Sequence, residues 1–207
     1  MTLMFRPAAI SDVDAAVPLI YSAGVEAFEY AFTTGKCSAG DFLAFAFKNG
    51  GGIFGWSNHT VAVLDQQVVG IVAGYSGREY FRLTLGTTGQ IFRRYSLWSH
   101  AQVVHHSLQL SALMPRPAWA THYVANFAVS PLHQGLGIGT AMLDDQQKVA
   151  VLKGRTSMTL DVSADNPRGQ KLYERLGFCV TKENTFSGPA NTIANSRRME
   201  RSLLSVT

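Results

Sequence analysis

The chain has 207 residues, 46% apolar and 15% charged, with a formal net charge of +4 and a pI near 9.2. This composition suits a globular chain with a substantial core and excludes collagen-like and disordered classes. No apolar run approaches the roughly 18 residues of a membrane span, so no membrane association is expected.

Basic residues are scattered, with only Arg93-Arg94 and Arg197-Arg198 adjacent, which argues against a nucleic-acid surface. The two cysteines, Cys37 and Cys179, form no disulfide framework and no zinc pattern. Free thiols in a reducing cytosol are therefore expected, with no metal.

In chain order, Leu3 to Arg6 reads as a strand. Ser11 and Asp14 form a capping-box pattern ahead of Val13, Val17 and Ile20 at helical spacing. After Gly24, Val25 to Phe32 and Asp41 to Lys48 suggest further helices, ended by Asn49-Gly50-Gly51-Gly52. Thr60 to Leu64 and Val68 to Tyr75, joined through Asp65-Gln66-Gln67, predict a hairpin of β-branched strands.

Ser76 to Thr121 reads as mostly helix, with Ile91, Tyr95, Trp98, Val103 and Leu108 among polar residues and Pro115 and Pro117 closing it. Its histidines, His100, His105 and His106, lack the spacing of a metal motif. A strand from Tyr123 to Val129 follows, then a glycine-rich turn and a helix over about 137–153. Met158 to Val162 predicts a strand, Pro167 to Leu176 a helix stopped by Gly177, and Phe178 to Thr185 a strand. Ser187-Gly188-Pro189 predicts a turn and Ile193 to Leu204 a last strand.

The segment YVANFAVSPLHQGLGIGTAML, from Tyr123 to Leu143, carries the most information. An apolar strand runs into a turn in which Gly135, Gly137 and Gly139 lack β-carbons, so consecutive N–H groups can converge on an anion at the positive end of a helix dipole. The spacing is not the G-x-G-x-x-G of dinucleotide sites, and no Gly-Lys-Ser/Thr follows.

Gln134, Gly137 and Gly139 fit the Q/R-x-x-G-x-G/A signature, and LDVSADNPRGQKLYERLGF from Leu160 to Phe178 supplies a second block in the expected order. In both, the chain resembles the GNAT N-acetyltransferase superfamily. The clear likeness covers about residues 123–180 and extends more weakly to the amino-terminal half.

The resemblance implies a mixed α/β acyl-CoA N-acyltransferase fold: a mostly antiparallel twisted sheet flanked by helices, with a helical insertion at about 77–120 between the third and fourth strands. One domain over 1–207 is expected. It further implies transfer of an acetyl group from acetyl-CoA directly to an amine, of a small molecule, by a cytoplasmic enzyme, with a homodimer left open. A non-catalytic acyl-CoA-binding module is the alternative, and donor acyl length stays open.

By the same resemblance, the amides of Gln134, Gly135, Leu136, Gly137, Ile138, Gly139 and Thr140 hold the pyrophosphate. Phe127, Ala128 and Val129 pair with the pantetheine and offer an N–H to the thioester carbonyl, a donor worth roughly 3 to 4 kcal/mol when preorganised. Asn166 contacts the cofactor or caps the following helix. Tyr173 stands where a phenol serves the leaving thiolate, being protonated at neutral pH. Many relatives carry a Glu on the strand before the turn, where this chain has Asn126, so the base is sought at Glu26, Glu29 or His122. Asp161 reads as structural.

Overall fold

The computed structural model describes residues 2–189 and 193–204; the links between the expected turn at Ser187-Gly188-Pro189 and the last strand, 190–192, lie outside the described residues. Seven strands, β1 (Leu3–Pro7), β2 (His59–Leu64), β3 (Gln67–Tyr75), β4 (Thr121–Val129), β5 (Ser157–Ser163), β6 (Cys179–Asn184) and β7 (Ser196–Ser202), form one sheet ordered β1-β2-β3-β4-β5-β7-β6. All neighbouring pairs are antiparallel except β4 and β5. This is the mixed, mostly antiparallel sheet expected from the sequence.

Helices cover both faces. On one face lie α1 (Val13–Ser22), α2 (Val25–Phe32), α3 (Ala39–Lys48), α4 (Gly77–Arg94) and α5 (Leu97–Leu110), and on the other α6 (Ile138–Leu152) and α7 (Pro167–Arg175). The first layer buries Ile20, Phe42, Leu43 and Phe47 against Val61 and Ile71. The second buries Met142 and Leu143 of α6 with Tyr173 of α7 against Val72, Val124 and Leu160. Strand alternation divides the apolar residues between these two cores.

The helical insertion between β3 and β4 consists of α4 and α5. Ile91, Tyr95 and Val103 are buried, whereas Trp98 and Leu108, which helical spacing grouped with them, are 92% and 66% exposed. The reason is that Tyr95 and Ser96 break the helix between α4 and α5, so one periodicity cannot run through both. The last two strands are shorter than the sequence suggested.

Three helices begin on a capping side chain, α3, α4 and α7, whereas α1, α2, α5 and α6 do not. Ser38 and Asp41 make a reciprocal capping box for α3, and Ser76 and Glu79 do so for α4. At α1 the Ser11 and Asp14 pattern is not used. Asp12 instead accepts from the Ala9 N–H at 2.8 Å and from both Arg6 nitrogens at 2.7 and 2.8 Å, because the Arg6 guanidinium makes a charge-assisted fork that a serine cannot match.

Candidate active site

β4 enters the glycine turn through a short 3-10 turn, Pro131–His133, and the chain then rises into α6. Gly135 at φ 82° and Gly137 at φ 78° take left-handed conformations, which other L-residues adopt only with strain. The two reversals leave the N–H groups of Gly135, Leu136, Gly137, Ile138, Gly139 and Thr140 without an acceptor among the described residues. Open space surrounds the positions a β-carbon would take at Gly135 and Gly137. Six consecutive free donors at a helix N-terminus constitute a cradle for a polyanion. Gln134, counted with these donors from the sequence, is not one of them: its backbone N–H donates to the Pro131 carbonyl at 3.5 Å, because the 3-10 turn closes on it, and its side-chain N–H donates to the Val129 carbonyl at 3.4 Å.

Beside the turn the sheet parts. β4 pairs with β5 only from Thr121 to Val124, so the β5 side of Ala125 to Val129 has no partner strand. On its other side, β4 bulges against β3: Ala73 faces Ala125 while Ile71 faces Ala128. The bulge contains Asn126 at φ 50°, a conformation asparagine tolerates better than most residues. A slot thus opens between β4 and β5, edged by free backbone groups that an extended ligand can pair with.

Tyr173, on α7, packs against this part of β4. Its ring is 8% exposed and packs at 6.2 Å from the Phe127 ring and 6.1 Å from Phe178. The hydroxyl makes no hydrogen bond among the described residues, yet its oxygen is not one of the sealed polar atoms left without a partner. Burial pushes the phenol well above its ordinary value, so it remains protonated. A β-carbon on Gly139 would meet Phe127, Leu172 and Val129 at ordinary contact distances of 3.4 to 3.8 Å, which shows how closely α6 and α7 approach the strand.

The remaining sequence candidates separate. Asn166 accepts the Gly169 N–H at 2.9 Å, the capping role. Glu29, on α2 across the sheet from Tyr173, accepts from the Tyr21 hydroxyl at 2.7 Å and the Thr33 hydroxyl at 2.6 Å. The hydrogen bonds of Thr33 and then Tyr21 lower its pKa, whereas Glu26 on the same helix is exposed. His122 is 1% exposed, bonded to Gln146 at 3.0 Å under α6 and kept neutral chiefly by burial. Asp161 is held by Arg198 and Tyr123 and is structural.

A residue that sequence reasoning passed over is His59, at the start of β2. Its Nδ1 lies 2.8 Å from the Gly55 carbonyl oxygen and its Nε2 3.1 Å from the Asn126 amide nitrogen. The ring is 3% exposed, and burial lowers its pKa to about 4. The unfolded chain, with an ordinary histidine near 6.5, therefore binds the proton more readily. This contribution to stability is fully present above pH 6.5 and is lost as the pH falls toward 4, with His122 acting in the same sense. The expected loss from His59 alone is about 3 kcal/mol between those limits, from about 1.36 kcal/mol per unit. Urea unfolding at stepped pH would measure it, and a flat profile over that window would refute it.

Among the described residues no group of His, Cys, Asp and Glu is arranged to hold a metal ion, and no helix is long and apolar enough to cross a membrane. Cys37 is buried and Cys179 exposed, both as free thiols.

A family model described as the acetyltransferase (GNAT) family matches residues 23–178. N-alpha-acetyltransferase 30 of Schizosaccharomyces pombe is 33% identical over 60 residues, covering 29% of this chain and 40% of that protein. The match thus spans two fifths of that relative's length. Among solved structures, an N-acetyltransferase from Staphylococcus aureus Mu50 superimposes with a TM-score of 0.72 at 15% identity, over 96% of this chain and 100% of that one. The yncA protein of Salmonella typhimurium, solved with its cofactor acetyl-CoA, superimposes with a TM-score of 0.55 at 17% identity, over 100% of this chain and 97% of that one. At these identities the structural likeness is one of fold.

Proposed function

This chain belongs to the acetyltransferase (GNAT) family, and from that premise we propose that it transfers the acetyl group of acetyl-CoA directly to the primary amine of a small molecule, acting as one domain over 1–207. The observation that carries the reading is the run of six unpaired N–H groups from Gly135 to Thr140, set where β4 parts from β5. The donor set fits the ligand: backbone amides at a helix N-terminus match a pyrophosphate, and the free edge of Ala125 to Val129 matches the amides of a pantetheine arm.

When bound, acetyl-CoA supplies an activated acetyl thioester. The chain's own residues then divide the work. The turn amides anchor the anionic end, the β4 edge holds the arm extended, and the Tyr173 hydroxyl donates to the departing sulfur. Glu29, ionised and half-buried on α2, and the exposed Glu26 provide a negative field for a cationic amine. Two carboxylates on one helix suit a single amine better than a long basic peptide.

Calorimetric titration with acetyl-CoA, followed by thiol release across a panel of primary amines, tests this reading. Binding with amine-dependent release is expected. Binding without release from any amine would replace it with a sensor, and absence of binding would overturn it.

The turn itself is tested by Gly137→Ala. A β-carbon at φ 78° costs about 1–2 kcal/mol of backbone strain and re-aims the donors of the cradle. A lower unfolding midpoint and acetyl-CoA affinity weakened by roughly tenfold or more are expected, since 1.4 kcal/mol of binding is tenfold. Undiminished affinity would remove the turn from the binding site.

A further inference from the structure

Asn126 and His59 meet across β3, and the polarity of their contact follows from chemistry alone. The Gly55 carbonyl can only accept, so His59 Nδ1 must carry the hydrogen that it receives at 2.8 Å. Buried and neutral, the ring then has a bare lone pair on Nε2. Only the amide N–H of Asn126 can meet that lone pair at 3.1 Å, because the carboxamide oxygen would oppose it. The chain of donors thus fixes the side chain in one sense and turns Oδ1 of Asn126 away from the histidine.

That oxygen has no hydrogen-bond partner among the described residues, and it is not one of the sealed polar atoms. It belongs to a half-buried residue in a left-handed conformation, in the bulge where β4 has just lost β5 as a neighbour. Non-glycine residues held in such conformations cluster at working sites. Tyr173 packs in the core of the α6 and α7 layer, whereas the His59 ring lies 6.0 Å from that of Phe47, in the opposite layer. Asn126 therefore faces the side from which a nucleophile approaches if the leaving group is served from α7.

The geometry points to Asn126 as the residue whose Oδ1 accepts a hydrogen bond from the attacking amine, with His59 as the positioning residue that locks the carboxamide in that sense. The inference rests on the acetyltransferase reading above. In the transfer, the amine first gives its ammonium proton to solvent, and the neutral nitrogen forms the new bond to the acetyl carbon as the carbon–sulfur bond breaks. Tyr173 gives its proton to the sulfur, and the proton shed by the nitrogen returns to the phenolate through water. Asn126 orients the nucleophile and takes no proton, which is the role left to a carboxamide at this position.

The test uses the full chain with phenethylamine, spermidine and glycinamide as probes, continuing with whichever turns over fastest. Asn126→Ala is expected to lower kcat/KM for that amine roughly 10- to 100-fold, the loss of one strong hydrogen bond, while the Kd for acetyl-CoA stays unchanged. His59→Leu should depress the same parameter, and His59→Gln, whose Oε1 still accepts the Asn126 N–H, should recover part of it. An Asn126→Ala enzyme with undiminished kcat/KM would overturn the assignment. Nitrogen-15 NMR of the unmutated protein gives a readout independent of how the variants fold. His59 protonated on Nδ1 is expected, and protonation on Nε2 would overturn the proposal by forcing the carbonyl of Asn126 inward. Failure of the unmutated chain to bind acetyl-CoA would instead sink the acetyltransferase reading, and the calorimetry registers that separately from the tautomer.

Discussion

Replacing Asp161 with alanine is expected to remove about 3–5 kcal/mol of folding stability, the cost of stranding one member of a buried ion pair. The Asp161 side chain is 2% exposed and that of its partner Arg198 14%. The carboxylate accepts from Arg198 Nη2 at 2.7 Å, Arg198 Nε at 3.1 Å and the Tyr123 hydroxyl at 2.7 Å. The guanidinium also reaches the Pro115 carbonyl and lies 5.6 Å from the Tyr123 ring centroid. Alanine would leave a buried cation and a buried phenol facing a void. The urea midpoint should fall steeply, and a shift smaller than that of an ordinary surface substitution would show that the pair is dispensable. Because well-packed apolar residues often replace a buried ion pair without loss, Asp161→Leu combined with Arg198→Met should recover much of the loss.

The largest effect on turnover is expected from Tyr173→Phe, which should lower kcat roughly 10²- to 10⁴-fold, the usual contribution of a positioned general acid. The substitution is mild for the fold. The ring keeps its packing against Phe127 and Phe178, and the hydroxyl gives up no hydrogen bond to a described residue. Acetyl-CoA affinity should be preserved, because in the proposed transfer the hydroxyl acts on the sulfur only as it departs. Burial raises the phenol's pKa, so the unmutated enzyme should show no alkaline loss of activity attributable to this residue at or below its ordinary value near 10. Steady-state kinetics beside calorimetry separates the two parameters, and an unchanged kcat would remove Tyr173 from the chemistry.

Local chemistry made much of the architecture readable. The β-branched runs of β2 and β3 predicted the hairpin, though Asp65 and Gln66 turn it at φ 47° and 69° without a glycine. The glycine turn and the Asn-Pro start of α7 were also legible, since each acts within a few residues of itself. His59 and Asn126 were not linked in the same way: they stand 67 residues apart, and the register of β2, β3 and β4 alone brings them together. Glu29 shows the converse. It became a candidate base because Asn126 stands where relatives carry a Glu, but the Tyr21 and Thr33 hydroxyls that bond its two oxygens carry no mark in a linear reading.

The sheet has one weak seam. β5 and β7 are registered along seven residue pairs, from Ser157 to Ser163, but β4 and β5 along only four. Strands β1 to β4 and the trio β5, β7 and β6 are thus two plates sharing a short joint, and the missing rungs lie where a pantetheine arm would run. A molecule laid in that gap would complete the ladder, so the proposed ligand would act as an eighth strand and as the clasp between the plates. Occupancy would then be felt as far as β6, two strands from the gap edge, as slower amide hydrogen exchange throughout the carboxy-terminal plate.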